Sequence, residues 1–225
     1  MSIAATLALL GCASREVVMD TASTSSPTPA AGGIYDSMGA DPAPAAEPTD
    51  GIAAAPPSAE LNNALPGSCH GSIGATAVEE VDVPAGATCT LEGTIVGGNV
   101  TIGGGATLVA RNVSINGDVQ AEGALVVDVT GPSTIGGNFQ IEDGGSSTVT
   151  GTQIGGDLKW ESQGGRLEAR GNTIAGNLQA DENGGGLTLA ENSVGGDVQC
   201  EENVPPPSGG GNIARGDSED QCANL

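Results

Sequence analysis

Apolar residues two apart, with polar residues between them, recur along much of this chain at a nearly constant interval. Val96, Ile115, Ile135, Ile154, Ile174 and Val194 each stand two residues before a glycine. That glycine is followed by Asn or Asp and then by Val100, Val119, Phe139, Leu158, Leu178 or Val198. Two residues further on come Ile102, Ala121, Ile141, Trp160, Ala180 and Cys200. This alternation is strand periodicity, one face buried and one wet. A second alternating stretch follows in most repeats, at Leu108/Ala110, Val127/Val129, Leu167/Ala169 and Leu187/Leu189.

The Gly-Asn or Gly-Asp pairs set the period. They begin at Gly98, Gly117, Gly137, Gly156, Gly176, Gly196 and Gly216, in steps of 19, 20, 19, 20, 20 and 20 residues. A fixed period in this range marks a solenoid, whose repeats bury their apolar faces only against one another. Three short strands joined by Gly, Asn and Ser turns fill one coil, so the expected fold is all-β: a parallel β-helix of about seven coils. A helical solenoid is excluded, since a helix interior loses roughly 1 kcal/mol per Gly relative to Ala and every coil carries several. Left-handed β-helices usually show a hexapeptide repeat; none is present, which favours a right-handed coil.

The outward positions are equally regular. Thr101, Gln120, Gln140, Lys159, Gln179 and Gln199 are expected to stack about 4.8 Å apart as a largely amide ladder. The turn column Asn99, Asp118, Asn138, Asp157, Asn177, Asp197 alternates amide with carboxylate, and Asx residues satisfy turn backbone and tolerate positive φ. The residue after each third apolar position is acidic: Glu122, Glu142, Glu161, Asp181, Glu201, with Asp143, Glu182 and Glu202 beside three of them. Charges at coil spacing repel by about 1 kcal/mol even in water. Two readings stand: a solvated corner whose charge Lys159, Arg166 and Arg170 partly offset, or an edge that receives Ca²⁺ or a basic envelope partner.

Five cysteines divide on the coil period. Cys69 and Cys89 lie 20 residues apart and Cys200 and Cys222 lie 22 apart, each about one coil, which suits the Cα spacing of a disulfide. The two pairs sit at opposite ends of a stack roughly 30 Å long, so cross-pairing is excluded. Two disulfides imply an oxidising compartment. Cys12 is left over. Leu7-Ala8-Leu9-Leu10-Gly11-Cys12 resembles the lipobox of bacterial lipoproteins, which implies a signal segment over residues 1–12 and lipidation at Cys12. The segment before it carries no Lys or Arg, and its apolar run is short for a signal peptide. Residues 13–65 are dominated by Pro, Ala, Ser, Thr and Asp without apolar periodicity, and are expected to form a tether averaging about 40 Å end to end. The β-helix domain then occupies residues 66–225.

The formal charge of −22 argues against nucleic acid as a partner. A β-helix enzyme acting on polysaccharide needs paired carboxylates in a cleft walled by loops, and coils of such even length leave little material for one. His70 stands beside Cys69 and reads as a capping residue. No zinc spacing, nucleophile elbow or phosphate loop occurs. Ice binding wants flat Thr-x-Thr arrays, whereas Ser114, Thr134, Thr173 and Ser193 are followed two residues on by Asn116, Gly136, Ala175 and Gly195. The coil pattern over Ile73–Cys200 resembles bactofilins, polymer-forming bacterial β-helix proteins whose repeats also run aliphatic-x-Gly-x-aliphatic; that resemblance implies end-to-end assembly. The chain departs from it in its export signal, its cysteine-paired ends and Val204-Pro205-Pro206-Pro207, which removes backbone donors at the last coil. It also resembles uncharacterised secreted bacterial proteins with the same Gly86-Ala87-Thr88-Cys89-Thr90-Leu91 opening and Glu219-Asp220-Gln221-Cys222 close. The expectation is a non-catalytic, lipid-anchored envelope or surface module without a cofactor, monomeric, whose partner is an envelope protein or polysaccharide.

Overall fold

The computed structural model describes residues 67–225. Cys12, the signal segment and the tether expected over residues 13–65 lie outside them. The described chain is a parallel β-solenoid without helix, built from 24 short strands. They stack into three eight-stranded walls, each pairing strands one coil apart. The first wall starts at Gly71–Ile73 and ends at Ser208–Gly210; the second runs from Ala77–Val78 to Ile213–Ala214; the third runs from Val81–Val83 to Ser218–Asp220.

Eight coils replace the seven expected. The extra one is the first, whose corner reads Val78-Glu79-Glu80-Val81 and lacks the Gly-Asx pair that reveals the others. Both alternating stretches lie where expected, Val100–Ile102 and its successors in the third wall and Thr107–Arg111 and its successors in the first.

At each Gly-Asx corner the side-chain oxygen of one coil accepts the backbone N–H of the next. Asn99 Oδ1 receives Asp118 N–H at 2.9 Å, Asp118 Oδ1 receives Asn138 at 2.7 Å, and Asn138 Oδ1 receives Asp157 at 2.9 Å. The column continues through Asp157, Asn177 and Asp197 to the N–H of Asp217. The glycine ahead of each Asx is explained by the same bond. A Cβ on Gly156 would stand 2.2 Å from Asn138 Oδ1, and those on Gly117, Gly137, Gly176 and Gly196 would meet the Asx oxygen one coil back at 2.1 Å. These Asx residues make no use of the positive φ that Asx tolerates. Positive φ falls instead on Asn112, Asp143, Ser162, Glu182, Glu191, Glu202 and Asp220, at the other two corners and the final turn.

Two further ladders run inside the solenoid. Asn172 and Asn192 each donate Nδ2 to a core carbonyl, Val149 and Ala169, and each Oδ1 accepts the N–H of the residue one coil back. Asn183 and Asn203 do the same at the corner between the third and first walls. All four are buried. Buried amides without partners would be costly; here both ends of each are used. Earlier coils fill the first of these corners with buried Thr94, Ser133 and Thr152, which are smaller: the Thr94 hydroxyl donates to the Ile73 and Gly74 carbonyls one coil back, while Ser133 and Thr152 bond locally to Thr130 and Thr150.

The core between the walls is continuous and aliphatic, with one large insertion. Trp160 is fully buried and pairs in register with Ile141 on one side and Ala180 on the other. Phe139 meets it edge-on, ring centroids 6.5 Å apart and planes at 83°. Trp160→Ala is expected to cost roughly 3–5 kcal/mol, the range for large-to-small core changes, in chemical denaturation.

Gly156→Ala is expected to cost about 1–3 kcal/mol by overpacking against Asn138. Combining it with Asn138→Ala removes the closest contact and leaves the Gly137 backbone carbon at 3.0 Å, so the double variant should lose clearly less than the two single losses added together. Strict additivity would show that the Asx oxygen does not dictate the glycine.

Candidate functional site

The strands Val119–Glu122, Phe139–Glu142, Leu158–Glu161, Leu178–Asp181 and Val198–Glu201 each end on a carboxylate of the predicted stripe. Register places Glu122 beside Glu142, Glu142 beside Glu161, Glu161 beside Asp181, and Asp181 beside Glu201. The stripe is therefore one real column on the third wall. Immediately after it the chain turns through left-handed residues, φ 52° at Asp143, 57° at Glu182 and 51° at Glu202. A second, shorter set of carboxylates thus stands at the corner beside the first.

The column is not uniform. Lys159 lies in the neighbouring outward column and its Nζ bridges Glu142 Oε1 at 3.4 Å and Glu161 Oε2 at 2.5 Å. Gln140 Nε2 donates to Glu142 Oε1 at 2.7 Å. That amide bond, reinforced by Lys159, holds the Glu142 carboxyl below its usual range; the bond to Glu161 raises Lys159. Beyond Glu161 the compensation fades, Lys159 acting on Asp181 only as a minor pull. Burial, aided by the Glu161 charge, pushes Asp181 up against the pull of a 3.2 Å bond from the Glu201 N–H. Glu201 is raised chiefly by the carboxylates of Asp220 and Asp181.

Arg166 and Arg170 do not take the offsetting part expected of them. Both reach Glu168 on the first wall, at 3.0 and 3.4 Å. The amide ladder also forms only in part: Gln179 donates to Gln199 at 3.0 Å and Gln199 to Glu219 at 2.9 Å, while Gln140 turns aside to Glu142. An open hollow beside the upper stripe is lined by Thr101, Gln120, Glu122, Gln140 and Glu142. Another beside the lower stripe is lined by Lys159, Glu161, Asp181, Glu182, Glu201 and Glu202. Among the described residues no three His, Cys, Asp or Glu side chains converge as a metal-binding group; the carboxylates stand in line.

Both cysteine pairs are disulfides. Cys69–Cys89 and Cys200–Cys222 join residues with Cα atoms 5.5 and 5.4 Å apart. At the first end Cys69 N–H bonds to Asp82 O and Asp82 N–H to Gly67 O, both at 2.7 Å. His70 is exposed beside this cap. At the other end Gln221 takes the place that the next coil's Asn would occupy, its Oε1 accepting Asn203 N–H at 2.9 Å and Asn203 Nδ2 at 3.1 Å. Sequence reasoning missed Gln221 and the buried asparagines, although the 20-residue steps Asn172, Asn192, Asn212 and Asn183, Asn203 were present; Asn in a Gly-rich chain reads first as a turn residue.

The molecule is thus a disulfide-capped parallel β-solenoid with one acidic wall. No protein-family model matches the chain, and neither a curated protein nor a solved structure matches it.

Asp181 and Glu201 have raised folded-state values, so the folded protein takes up their protons more readily than the unfolded chain. Their contribution to stability is least favourable near neutrality and improves as pH falls towards the ordinary carboxylate range. Melting temperature in low salt should therefore rise on mild acidification. The gain should shrink in Asp181→Asn with Glu201→Gln. Glu142 has the opposite sign, and its bonds to Gln140 and Lys159 weaken only at more acid pH. A melting temperature that falls steadily from pH 7 would contradict this.

Proposed function

We propose that the chain is an exported, lipid-anchored envelope or cell-surface module of a bacterium, with a structural or binding role and no catalytic activity of its own. The observation that carries this reading is the cysteine pairing. Four cysteines are consumed in two disulfides, which belong to an oxidising compartment. The fifth, Cys12, ends the lipobox-like run Leu7-Ala8-Leu9-Leu10-Gly11. A lipid there would tether the solenoid through the Pro/Ala-rich segment, with several acyl chains needed for lasting anchorage.

Coil regularity supports the non-catalytic part. Each wall is an open, gently featured surface, and the carboxylates of the stripe sit on its outside rather than across a cleft. The stripe is the face on which a basic envelope partner, or Ca²⁺ screening two neighbouring carboxylates at a time, would act. A bactofilin-like scaffold is the runner-up, favoured by the repeat pattern. The two capped ends speak against end-to-end growth.

Metabolic labelling with an alkyne fatty acid should mark the wild-type chain and place it in the membrane fraction. Cys12→Ser should lose both the label and the membrane association; retention of either would remove the anchor from this reading. Capture of envelope material on the immobilised protein should weaken when Asp181→Asn and Glu201→Gln are combined.

A further inference from the structure

Charge is spread unevenly over the three walls. The third carries the acidic column, and the eight strands of the second contain no Asp, Glu, Lys or Arg. The first mixes signs, with Glu92, Arg111, Asp128, Glu168 and Arg170 within its strands. In a chain of net charge −22, this wall holds a place where two cations share a single carboxylate.

Arg166, Glu168 and Arg170 alternate with buried Leu167 and Ala169, so all three side chains leave the same face of the wall. The Glu168 carboxylate takes one guanidinium on each oxygen. Arg166 Nη2 donates to Oε2 at 3.0 Å and Arg170 Nε to Oε1 at 3.4 Å. Among the described residues neither Arg pairs with another carboxylate. Their side chains stay 72% and 47% exposed, and a guanidinium has five N–H donors, most of which face solvent here. The set carries two positive charges against one negative, and Glu168 holds the two cations on either side of itself.

Register surrounds this set with hydroxyls. Thr148 and Thr188 flank Glu168 one coil to either side, Ser208 follows Thr188, and Thr150 flanks Arg170. Asp128 precedes Thr148; it is two coils from Glu168, about 9.6 Å, and exposed charges are largely screened beyond ~8 Å in physiological salt. Glu191 lies at the corner that follows Ala190. An outward lane therefore crosses four coils: Thr148, the Arg–Glu–Arg set, Thr188 and Ser208.

We infer that this lane binds an acidic glycan, with a sugar carboxylate seated on Arg166 and Arg170 and sugar hydroxyls along Thr148, Thr188 and Ser208. A guanidinium matches a carboxylate with two parallel bonds. Ser and Thr hydroxyls both donate and accept, as sugar hydroxyls do. An acidic peptide fits worse, since strands inside the wall are already paired on both sides and offer its backbone nothing to bond. A broad anionic surface such as a membrane would meet Asp128 and Glu191 together with the Arg pair, whereas one glycan chain touches the lane alone. The lane is open and has no aromatic platform, so the affinity is low, with Kd on the order of 1 mM. Several copies held on one membrane and meeting one polymer would gain by multivalency. The inference deepens the binding role proposed above and rests on it only for the envelope as the source of the glycan; loss of the lipid at Cys12 would leave the lane intact.

NMR titration of the isotope-labelled full chain, its Cys12 alkylated, with hexagalacturonate in physiological salt tests this. Saturable shifts are expected at Thr148, Glu168 and Thr188 and at the two Arg side chains. Arg166→Gln combined with Arg170→Gln should weaken binding by about tenfold or more. Thr188→Glu should weaken it and Thr188→Lys strengthen it. Arg215→Gln at the last coil and Gln153→Glu on the second wall should leave it unchanged, and melting curves confirm that each variant is folded. Maltohexaose, which lacks the charge, and inorganic phosphate, which lacks the sugar hydroxyls, should each bind more weakly. No saturation by about 20 mM, shifts centred elsewhere, equal affinity for maltohexaose, or affinity undiminished without the two Arg would each overturn the proposal. Phosphate binding as tightly would reduce the lane to a site for an adventitious ion only. Binding to phosphatidylglycerol vesicles without binding to the glycan would assign it to a membrane, and either result overturns the proposal as well.

Discussion

One hydrogen bond repeated coil after coil holds this architecture in register: the Asx side-chain oxygen at the corner before the third wall, accepting the backbone N–H of the Asx one coil further on. In a parallel stack the corners are where ladder pairing lapses, and each unpaired N–H there would be a debit of its own. Supplying the acceptor from a side chain fixes the spacing of the corner and the length of the coil together. It also fixes the preceding glycine, because the oxygen occupies the space a Cβ would need. Asn and Asp serve equally, since only the oxygen is used. Their alternation along most of the column is then free to separate carboxylates, and it lapses only at Asp197 and Asp217.

The consequence for function is a molecule whose interior is monotonous and whose walls are free to differ. The Gly-Asx corners are locked by the side-chain bond, and many of the others by buried Thr, Ser, Asn or Gln, so coil length hardly varies along the stack. Chemistry is therefore written on the flat faces. One is acidic, with Lys159 neutralising its middle and Asp181, Glu201 and Asp220 left to repel one another. One mixes charges, and one has none. A partner on any of them is met by a repeating surface rather than by a pocket.

The parts of this structure that could be read from sequence are those that repeat in one place along the coil. Gly-Asx pairs, aliphatic positions two apart and a residue as bulky as Trp160 flanked by Ile141 and Ala180 announce strand, corner and core directly. The first coil escaped because Glu79-Glu80 replaces the anchor there. The buried asparagines escaped because Asn has the same appearance in a turn as in a core ladder, and only burial separates the two. Gln140 was misread as one rung among equals, although Glu142 two residues on offered it a nearer and charged partner. For the stripe, the sequence order was sufficient to form the column, but not to show that Arg166 and Arg170 serve Glu168 on another wall.

Gln221 ends the series by standing in for an asparagine that would belong to a ninth coil. A cap of this kind measures nothing about the body it closes: it needs only Asn203 and Cys200 beneath it, just as Cys69 needs only Cys89. The number of coils is thus independent of the ends. Duplication of one 20-residue unit between the caps would give a longer rod, sealed in the same way.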